Sequence, residues 1–462
     1  MTSAQPRLTQ GPVGQHLVAM AVPVLFGIFT MMLQSFVDMW FIGQVGVREL
    51  AALSFAFPVL MVVTSVAIGL GAGTSSVVAR AIGSGNHRRA RRLATDSQIL
   101  SFGITAVISF IGYLTIEPLF LVMGAPEDMI PLIRGYMVIL YAGVPFVVVG
   151  MVGMSSMRAT GDTRLPSMLM VLAAVLNIIL DPILIFGLGP VPAMGLNGAA
   201  LAALLARASI FVGTVYLMKA RLDLLTFSKP ETRELFESWR DILHVGIPAA
   251  ATNAIIPIAT GVITAMLAQY GPETVAGFGV ASRVESLTLV MFYALSAIIG
   301  PFVGQNISAN RSDRIYSALW LCTLFCIGSG LLIALALALS RAWIPSLFST
   351  NADVISVASL FMLIVPISYG AYGMVMVMNA SFNGMGKPMP AVHISVGRMV
   401  IIYLPLAFLL ERFFGVAGIF AAYAAANIIT GVLSYAWARS SVQDQCDLHA
   451  EPASPVAEPT QV

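Results

Sequence analysis

Four acidic residues lie within long apolar stretches of this sequence: Asp38, Glu117, Asp181 and Glu285. A carboxylate near the centre of a bilayer costs about 2.5–3.5 kcal/mol on insertion scales, so acids in such stretches are candidates for function. Asp38 and Asp181 fall at similar depth in two different stretches. Asn177 precedes Asp181 by four residues, which places both side chains on one face of a helix.

The types of these side chains indicate the chemistry of the site. Two carboxylates and a carboxamide that meet in a cavity can bind Na⁺ or hold a shared proton, because two adjacent carboxylates do not both ionise at low cost. We therefore predict a cation- or proton-coupling site at Asp38, Asn177 and Asp181, with Na⁺ as the alternative to H⁺. The structural alternative is an interhelical hydrogen bond that only holds helices together.

The other two acids are left outside this site. Glu117 precedes Pro118 near the end of its stretch, so we expect it at the membrane interface. Glu285 and Arg283 are two residues apart and cannot face each other on one helix, so a salt bridge to another helix and a gate remain alternatives to a coupling role. No nucleophile–base arrangement accompanies these acids, and we expect neither enzyme activity nor a cofactor.

The composition requires a membrane around these residues. Of the 462 residues, 58% are hydrophobic and 10% are charged, against roughly 25% charged in an ordinary soluble domain. This excludes a soluble enzyme, and three cysteines exclude a secreted disulfide scaffold. The net charge of +2 gives no indication of a nucleic-acid partner. Lipids and small molecules are the expected partners.

Twelve apolar stretches are long enough to cross the bilayer as helices, for which about 20 residues suffice. Their continuous apolar character favours helices over the alternating strands of a barrel. The stretches are 16–41, 51–79, 97–123, 132–157, 166–188, 195–218, 242–269, 279–307, 315–340, 354–381, 389–410 and 415–438.

The basic residues indicate the orientation. Alternating the loops between two sides places 17 of the 24 Lys and Arg residues on the side of both termini and 4 on the other. Because Lys and Arg are retained in the cytoplasm, we expect a multi-pass protein of the cytoplasmic (inner) membrane with both termini in the cytoplasm. Three arginines lie within the stretches themselves: Arg207, Arg283 and Arg398.

The chain contains an internal repeat, in which Val22-Pro23 aligns with Ile247-Pro248 and Gly161 aligns with Gly386. It predicts an all-α fold of twelve transmembrane helices in two pseudo-symmetric six-helix lobes around a central cavity, suited to alternating access. The predicted segments are an N-terminal tail (1–15), a first lobe (16–218), a cytoplasmic linker (219–241), a second lobe (242–438) and a disordered tail (439–462).

The chain resembles the MATE family of multidrug and toxic compound extrusion transporters over nearly its whole length. The segments that carry the likeness are SFVDMWFIG (35–43), RATGD (158–162), LNIILDPILIFG (176–187), GLNGAALA (195–202) and SRVES (282–286). The Asn-x-x-x-Asp-Pro motif in the third of these is the most specific.

The resemblance implies a V-shaped cavity between the lobes and efflux of organic cations and other amphipathic compounds, driven by H⁺ or Na⁺ entry. The family's cation site maps onto Asp38, Asn177 and Asp181, the residues already selected above. Tyr136 corresponds to a tyrosine of the relatives' hydrogen-bond network. Because 248–269 and 354–381 contain no acid, the chain is similar to the archaeal and DNA-damage-inducible branch, which couples through the first lobe.

The coupling ion is predicted from the neutral oxygens that this sequence lacks. The relatives' asparagine in the fourth helix and threonine in the sixth are absent, leaving only Ser155 and Ser156 polar between Met151 and Met157. Hard cations need several oxygen ligands, so H⁺ is favoured over Na⁺. Pro23 lies in the same apolar stretch as Asp38 and can act as a hinge that moves the acid.

We therefore expect a monomeric, H⁺-coupled antiporter that exports organic cations and other amphipathic drugs. The alternative is a flippase for a lipid-linked precursor. A pyrophosphate head group would require a basic groove, for which Arg207, Arg283 and Arg398 are the candidates.

Overall fold

The computed structural model describes residues 7–229 and 231–450. Within them, twelve helical segments are long and apolar enough to cross a membrane. Loops therefore alternate between two sides. We call the side that carries Arg7–Thr9 and the 221–231 connection the proximal side, and the opposite side the distal side. The predicted all-α, twelve-helix fold is confirmed.

Six helices form the first half of the chain, and the short helix Ile116–Val122 follows the third of them on the distal side. They are α1 (Val13–Val45), α2 (Val47–Gly83), α3 (His87–Leu114), α4 (Ile130–Ala159), α5 (Arg164–Phe186) and α6 (Leu196–Ala220).

The second half repeats this order with three interrupted helices. They are α7 (Thr232–Ala268), α8 (Pro272–Thr288 and Val290–Ser308), α9 (Ser312–Ser340), α10 (Ala352–Ile364 and Tyr369–Gly384, joined by a 3₁₀ turn), α11 (Met389–Phe414) and α12 (Val416–Ala450). Residues Gly397–Tyr403 of α11 form a π-helical segment.

The backbone repeats together with the sequence. Gly161 and Gly386, which the repeat aligns with each other, follow the ends of α4 and α10 with φ values of 88° and 77°. Gly195 and Gly415 precede α6 and α12 with φ values of 55° and 56°. A residue with a Cβ atom rarely adopts these conformations, so glycine fixes the same turns in both halves.

Three helix ends extend ten residues or more beyond the predicted stretches because polar residues continue them. α7 begins at Thr232, so the second part of the predicted linker 219–241 is helical. α3 begins ten residues early, at His87, because the Asn86 side chain caps it at Arg89 N and the buried Arg92–Asp96 ion pair stabilises its first turns. α12 continues to Ala450, so residues 439–450 of the predicted disordered tail are helical. They contain neither glycine nor proline. The rest of that tail lies outside the described residues.

Each half encloses its own apolar core, but one helix of each half crosses to the other. The proximal part of α1, with Leu17, Met20 and Val24, packs into the core of the second half. The proximal part of α7, with Ile242, packs into the core of the first half. Each half is therefore completed by a segment of the other.

The two halves are joined on the proximal side. Gln305 of α8 accepts a hydrogen bond from Leu8 N (3.2 Å) and donates one to the Ala159 carbonyl (2.7 Å). Arg314 of α9 donates to the Leu8 carbonyl (2.9 Å). These four residues form a cluster that we call the proximal seal. A Cβ atom on Gly73 of α2 would collide with α7, so the helices also touch closely there.

On the distal side, no hydrogen bond or ion pair joins the two halves within 7–229 and 231–450. Gly261 of α7 and Gly279 of α8 have no atom within 4 Å of where a Cβ would lie. Hydrogen bonds between the halves on the proximal side, and none on the distal side within the described residues, correspond to a cleft that faces the distal side. We call it the distal cleft.

Candidate functional site

Helices α1 and α5 bring the predicted coupling residues together. Gln34 donates hydrogen bonds to Asp38 Oδ2 (3.3 Å) and to Asn177 Oδ1. Asn177 Nδ2 donates to Asp181 Oδ1 (2.9 Å). The carboxyl groups of Asp38 and Asp181 lie within hydrogen-bonding reach of each other. The four side chains form a closed polar ring, which we call the acid ring.

The ring lies close to the distal ends of both helices. Asp38 is seven residues before the end of α1, and Asp181 is five residues before the end of α5, which corresponds to depths of about 10 and 8 Å. Asn177 and Asp181 are buried, and Asp38 is half-buried. The sequence therefore placed both acids at the correct relative depth.

Two oxygens of the ring have no hydrogen-bond partner among the described residues: Asp38 Oδ1 and Asp181 Oδ2. A buried carboxylate oxygen without a partner is costly. A proton shared between the two carboxyl groups removes one negative charge and supplies the missing donor.

A sodium ion fits the ring less well than a proton does. The Asn177 oxygen already accepts the hydrogen bond from Gln34, which leaves the two unpartnered carboxylate oxygens as the free ligands. Hard cations require several oxygens. No group of three or more His, Cys, Asp or Glu residues suitable for a metal occurs in 7–229 and 231–450.

An arginine and a tyrosine stand beside the ring. The Arg207 guanidinium of α6 is half-buried and lies within electrostatic range of the Asp38 carboxyl group. Tyr136 of α4 is 8% exposed and lies within electrostatic range of Arg207, Asp38 and Asp181. Both residues line a cavity of about 10 Å³, close to the smallest space that holds one water molecule.

Pro23 lies far from the acid ring, at the point along α1 where the helix changes its packing partner from the second half to the first half. It precedes Asp38 on this helix by about four turns, or about 22 Å along the axis. On its proximal side, Leu17 and Met20 pack into the core of the second half. On its distal side, Gly27 lies against Met170 of α5, in the first half. A bend at Pro23 would move the acid ring relative to the second half.

Sequence reasoning missed Gln34 and Arg207 as members of this site. Gln34 could have been found, because it precedes Asp38 by four residues, the spacing that identified Asn177 beside Asp181. Arg207 was noted only as an arginine within an apolar stretch. Its proximity to Asp38 depends on how α6 packs, which the sequence does not show.

The second half contains a different polar cluster. Arg398, in the π-helical segment, donates to Asn427 Oδ1 (2.8 Å), and Asn427 donates to Ser368 Oγ (3.1 Å). The Arg398 guanidinium also lies over the Tyr372 ring, 4.5 Å from its centre. Glu285 lies within electrostatic range of Arg398 but forms no ion pair with it in the described part of the chain. The cluster therefore differs in charge from the acid ring.

Comparison with known proteins agrees with this architecture. The MatE family profile matches residues 23–183 and 248–409, two matches whose first residues, Pro23 and Pro248, are also aligned by the internal repeat. A Shewanella oneidensis protein named "FAD transporter" is 39% identical over 428 residues, covering 93% of this chain and 95% of that protein. "Probable multidrug resistance protein YoeA" of Bacillus subtilis is 27% identical over 94% of this chain and 96% of its own length.

A solved structure shows the same fold. The Vibrio cholerae MATE transporter VcmN in its bent form superposes with a TM-score of 0.89 at 31% identity, covering 94% of this chain and 98% of that one.

Proposed function

Because the chain belongs to the MatE family of membrane transporters, we propose that it is a proton-coupled antiporter that exports amphipathic aromatic solutes by alternating access. The observation that carries this proposal is the acid ring, whose two carboxyl groups lie within reach of each other and keep two buried oxygens unpartnered. An antiporter binds its coupling ion in one state and its solute in the other, so it requires a group inside the membrane whose charge differs between the two states. The carboxyl pair of Asp38 and Asp181 is suited to that change.

The exchange begins with the distal cleft open and the proximal seal closed. A proton that enters from the distal side is shared by Asp38 and Asp181 and neutralises one negative charge. Loss of this charge releases a cationic or amphipathic solute to the distal side. Protonation of the acid ring is accompanied by a bend of α1 at Pro23. Because the proximal part of α1 packs into the core of the second half, this bend moves the two halves relative to each other. One charge moved through 100 mV supplies about 2.3 kcal/mol.

The proposal includes an orientation and a location. The proximal side, which carries most Lys and Arg residues of the loops, is the cytoplasmic side of the inner membrane, and both termini lie there. The protein works in the lipid bilayer as a monomer. Transport then runs from the cytoplasm through the distal cleft to the outside.

Two classes of solute are candidates. Organic cations are the first, because the acid ring supplies negative charge near the cleft. Flavin nucleotides are the second, because the 39% identical relative carries the name of an FAD transporter. The lipid-linked flippase considered from the sequence gains no support from the names of these relatives.

The test is transport in vesicles that contain the purified protein. Export of ethidium is followed under an imposed pH gradient or an imposed Na⁺ gradient. The wild type is compared with Asp38→Asn, Asp181→Asn and the control Glu117→Gln, which changes an exposed acid on the short distal helix.

We expect transport that follows the pH gradient, is lost in both Asp variants and persists in Glu117→Gln. Transport that follows only the Na⁺ gradient contradicts proton coupling. Normal transport by both Asp variants contradicts the acid ring as the coupling site.

A further inference from the structure

The first part of α8 exposes a narrow stripe of mostly small and polar residues. The exposed positions recur every three or four residues and therefore share one helix face. The stripe comprises Pro272, Glu273, Ala276, Gly279, Arg283 and Ser286, with Leu287 as its one large apolar side chain.

A face directed at lipid looks different in the same lobe. The exposed face of α9 carries Trp320, Leu324, Leu331 and Leu335, all large and apolar. An arginine on a lipid-facing surface would be expensive, whereas one that lines a water-filled cavity is not. The small and polar character of the α8 stripe therefore favours the distal cleft over lipid as its surroundings.

Arg283 is the basic member of this stripe and lies ten residues from the acidic Glu273 at its distal end. No hydrogen bond or ion pair holds Arg283 within 7–229 and 231–450. The other two arginines of the apolar stretches have charged or polar neighbours, although Arg207, like Arg283, forms no hydrogen bond or ion pair in the described part of the chain. Arg207 stands beside the acid ring, and Arg398 binds Asn427 and stacks on Tyr372. The Arg283 charge is therefore available to a molecule in the cleft.

The position of Arg283 suits contact with a transported molecule. It lies eleven residues from the distal end of α8, about 16 Å along the helix. That is deep in the cleft and deeper than the acid ring. On the neighbouring α7, Thr260 and Gly261 are exposed and uncharged, eight and seven residues from the distal end of that helix. An unpaired guanidinium beside small side chains can bind an anionic group that offers two oxygens, such as a phosphate.

We infer that Arg283 is the contact for a phosphate group of the transported molecule, so that the second half binds anionic solutes that carry an aromatic ring. A guanidinium binds phosphate through two parallel hydrogen bonds and repels an organic cation at the same place. This inference rests on the proposed transport function and adds the substrate class to it. A nucleotide and a lipid head group both offer a phosphate, and the test separates them.

The test uses two solutes that share one ring system. FAD carries two phosphates, and riboflavin has the same isoalloxazine ring without phosphate. Transport of both, and of ethidium, is measured in vesicles under a pH gradient for the wild type, Arg283→Gln and Arg283→Lys. Arg412→Gln is the matched control, because it removes an exposed charge at the distal end of α11, away from the stripe. Translocation of fluorescent phosphatidylglycerol is followed in parallel.

We expect Arg283→Gln to raise the KM for FAD about tenfold, because the variant loses one charged contact with the phosphate. Riboflavin and ethidium transport should stay unchanged, and Arg283→Lys should recover part of the FAD transport. A selective loss of phosphatidylglycerol translocation instead would assign the contact to lipid phosphate.

Equal FAD and riboflavin kinetics in wild type and Arg283→Gln would overturn the inference. Equal loss of all solutes, in Arg283→Lys as well, would also overturn it, since the arginine would then be structural. Transport by Asp38→Asn is measured in the same experiment. It distinguishes failure of the phosphate inference from failure of the proposed transport function. Ethidium transport that is lost in Asp38→Asn, together with FAD transport that is unchanged in Arg283→Gln, would contradict the phosphate contact alone.

Discussion

The two lobes share a scaffold but not a charge pattern. In the internal repeat, the position equivalent to Asp38 is Ile263, and the position equivalent to Asp181 is Leu406. The second lobe thus fills the place of the acid ring with apolar side chains. It keeps the glycine turns of the first lobe but has no carboxyl pair.

The reverse holds for the arginines of the second lobe. The position equivalent to Arg283 is Pro58, and that of Arg398 is Ala173. In the proposed mechanism, the first lobe holds the group that changes charge, with Arg207 beside it, and the second lobe holds fixed positive charge at Arg283 and Arg398. This contrast underlies our proposal that the ion and the solute are handled by different lobes of a symmetric frame.

Removal of either acid from the first lobe should have the most severe consequence. Asp38→Asn and Asp181→Asn should each reduce pH-driven transport by about 100-fold or more, the range lost with an essential proton-transfer group. The double variant should lose no more than either single one, because the pair acts as a unit. Parallel transport assays on the four proteins measure this. Additive losses would mean that the two acids work independently.

Removal of Arg207, in the same lobe, should reduce transport less than removal of either acid. Arg207→Gln withdraws a positive charge from beside Asp38, so the ring holds its proton more readily. We expect transport to fall about tenfold at neutral pH and its pH profile to move to higher pH. Arg341→Gln, which removes an exposed charge on the distal side, is the control. A uniform loss at every pH would indicate a structural role only.

Weakening the proximal seal should shift the two lobes relative to each other. Gln305→Ala removes one hydrogen bond to Leu8 and one to Ala159, each worth about 0.5–1.5 kcal/mol. The open-distal state should lose population. Labelling of single cysteines placed at Gly261 should slow, and labelling on the proximal side should rise. Unchanged labelling would show that the seal does not hold the state.

The mildest change should come from the prolines of the two crossing helices. Pro23→Ala in α1 and Pro248→Ala in α7 change equivalent positions of the repeat. Because only α1 carries the acid ring, Pro23→Ala should slow transport about threefold while Pro248→Ala changes it less. Initial rates at saturating ethidium test this. Equal slowing would mean that both helices bend in the cycle.

Much of the architecture could be predicted from particular residues. The pairing of Val22-Pro23 with Ile247-Pro248 revealed the two halves, and the spacing of Asn177 and Asp181 identified one side of the acid ring. These features depend on order along the chain, which the sequence displays directly. The twelve helices followed because apolar length is itself the physical requirement for crossing a bilayer.

What the sequence did not show depends on packing between helices. The crossing of α1 and α7 into the opposite lobes leaves no trace in apolar periodicity, because both environments are apolar. The proximity of Arg207 to Asp38 arises only when α6 packs beside α1. The first turns of α3 were missed because an ion pair and a cap, rather than apolar residues, stabilise them.

Whether the first lobe carries the proton can be measured by calorimetry of solute binding. Ethidium is titrated into the purified protein at pH 7 in two buffers of different protonation enthalpy. We expect binding to release about one proton in the wild type, because solute and proton exclude each other at the acid ring. We expect no release in Asp38→Asn and unchanged release in Arg283→Gln. Binding without proton release in the wild type, or equal release in Asp38→Asn, would contradict proton coupling by the first lobe.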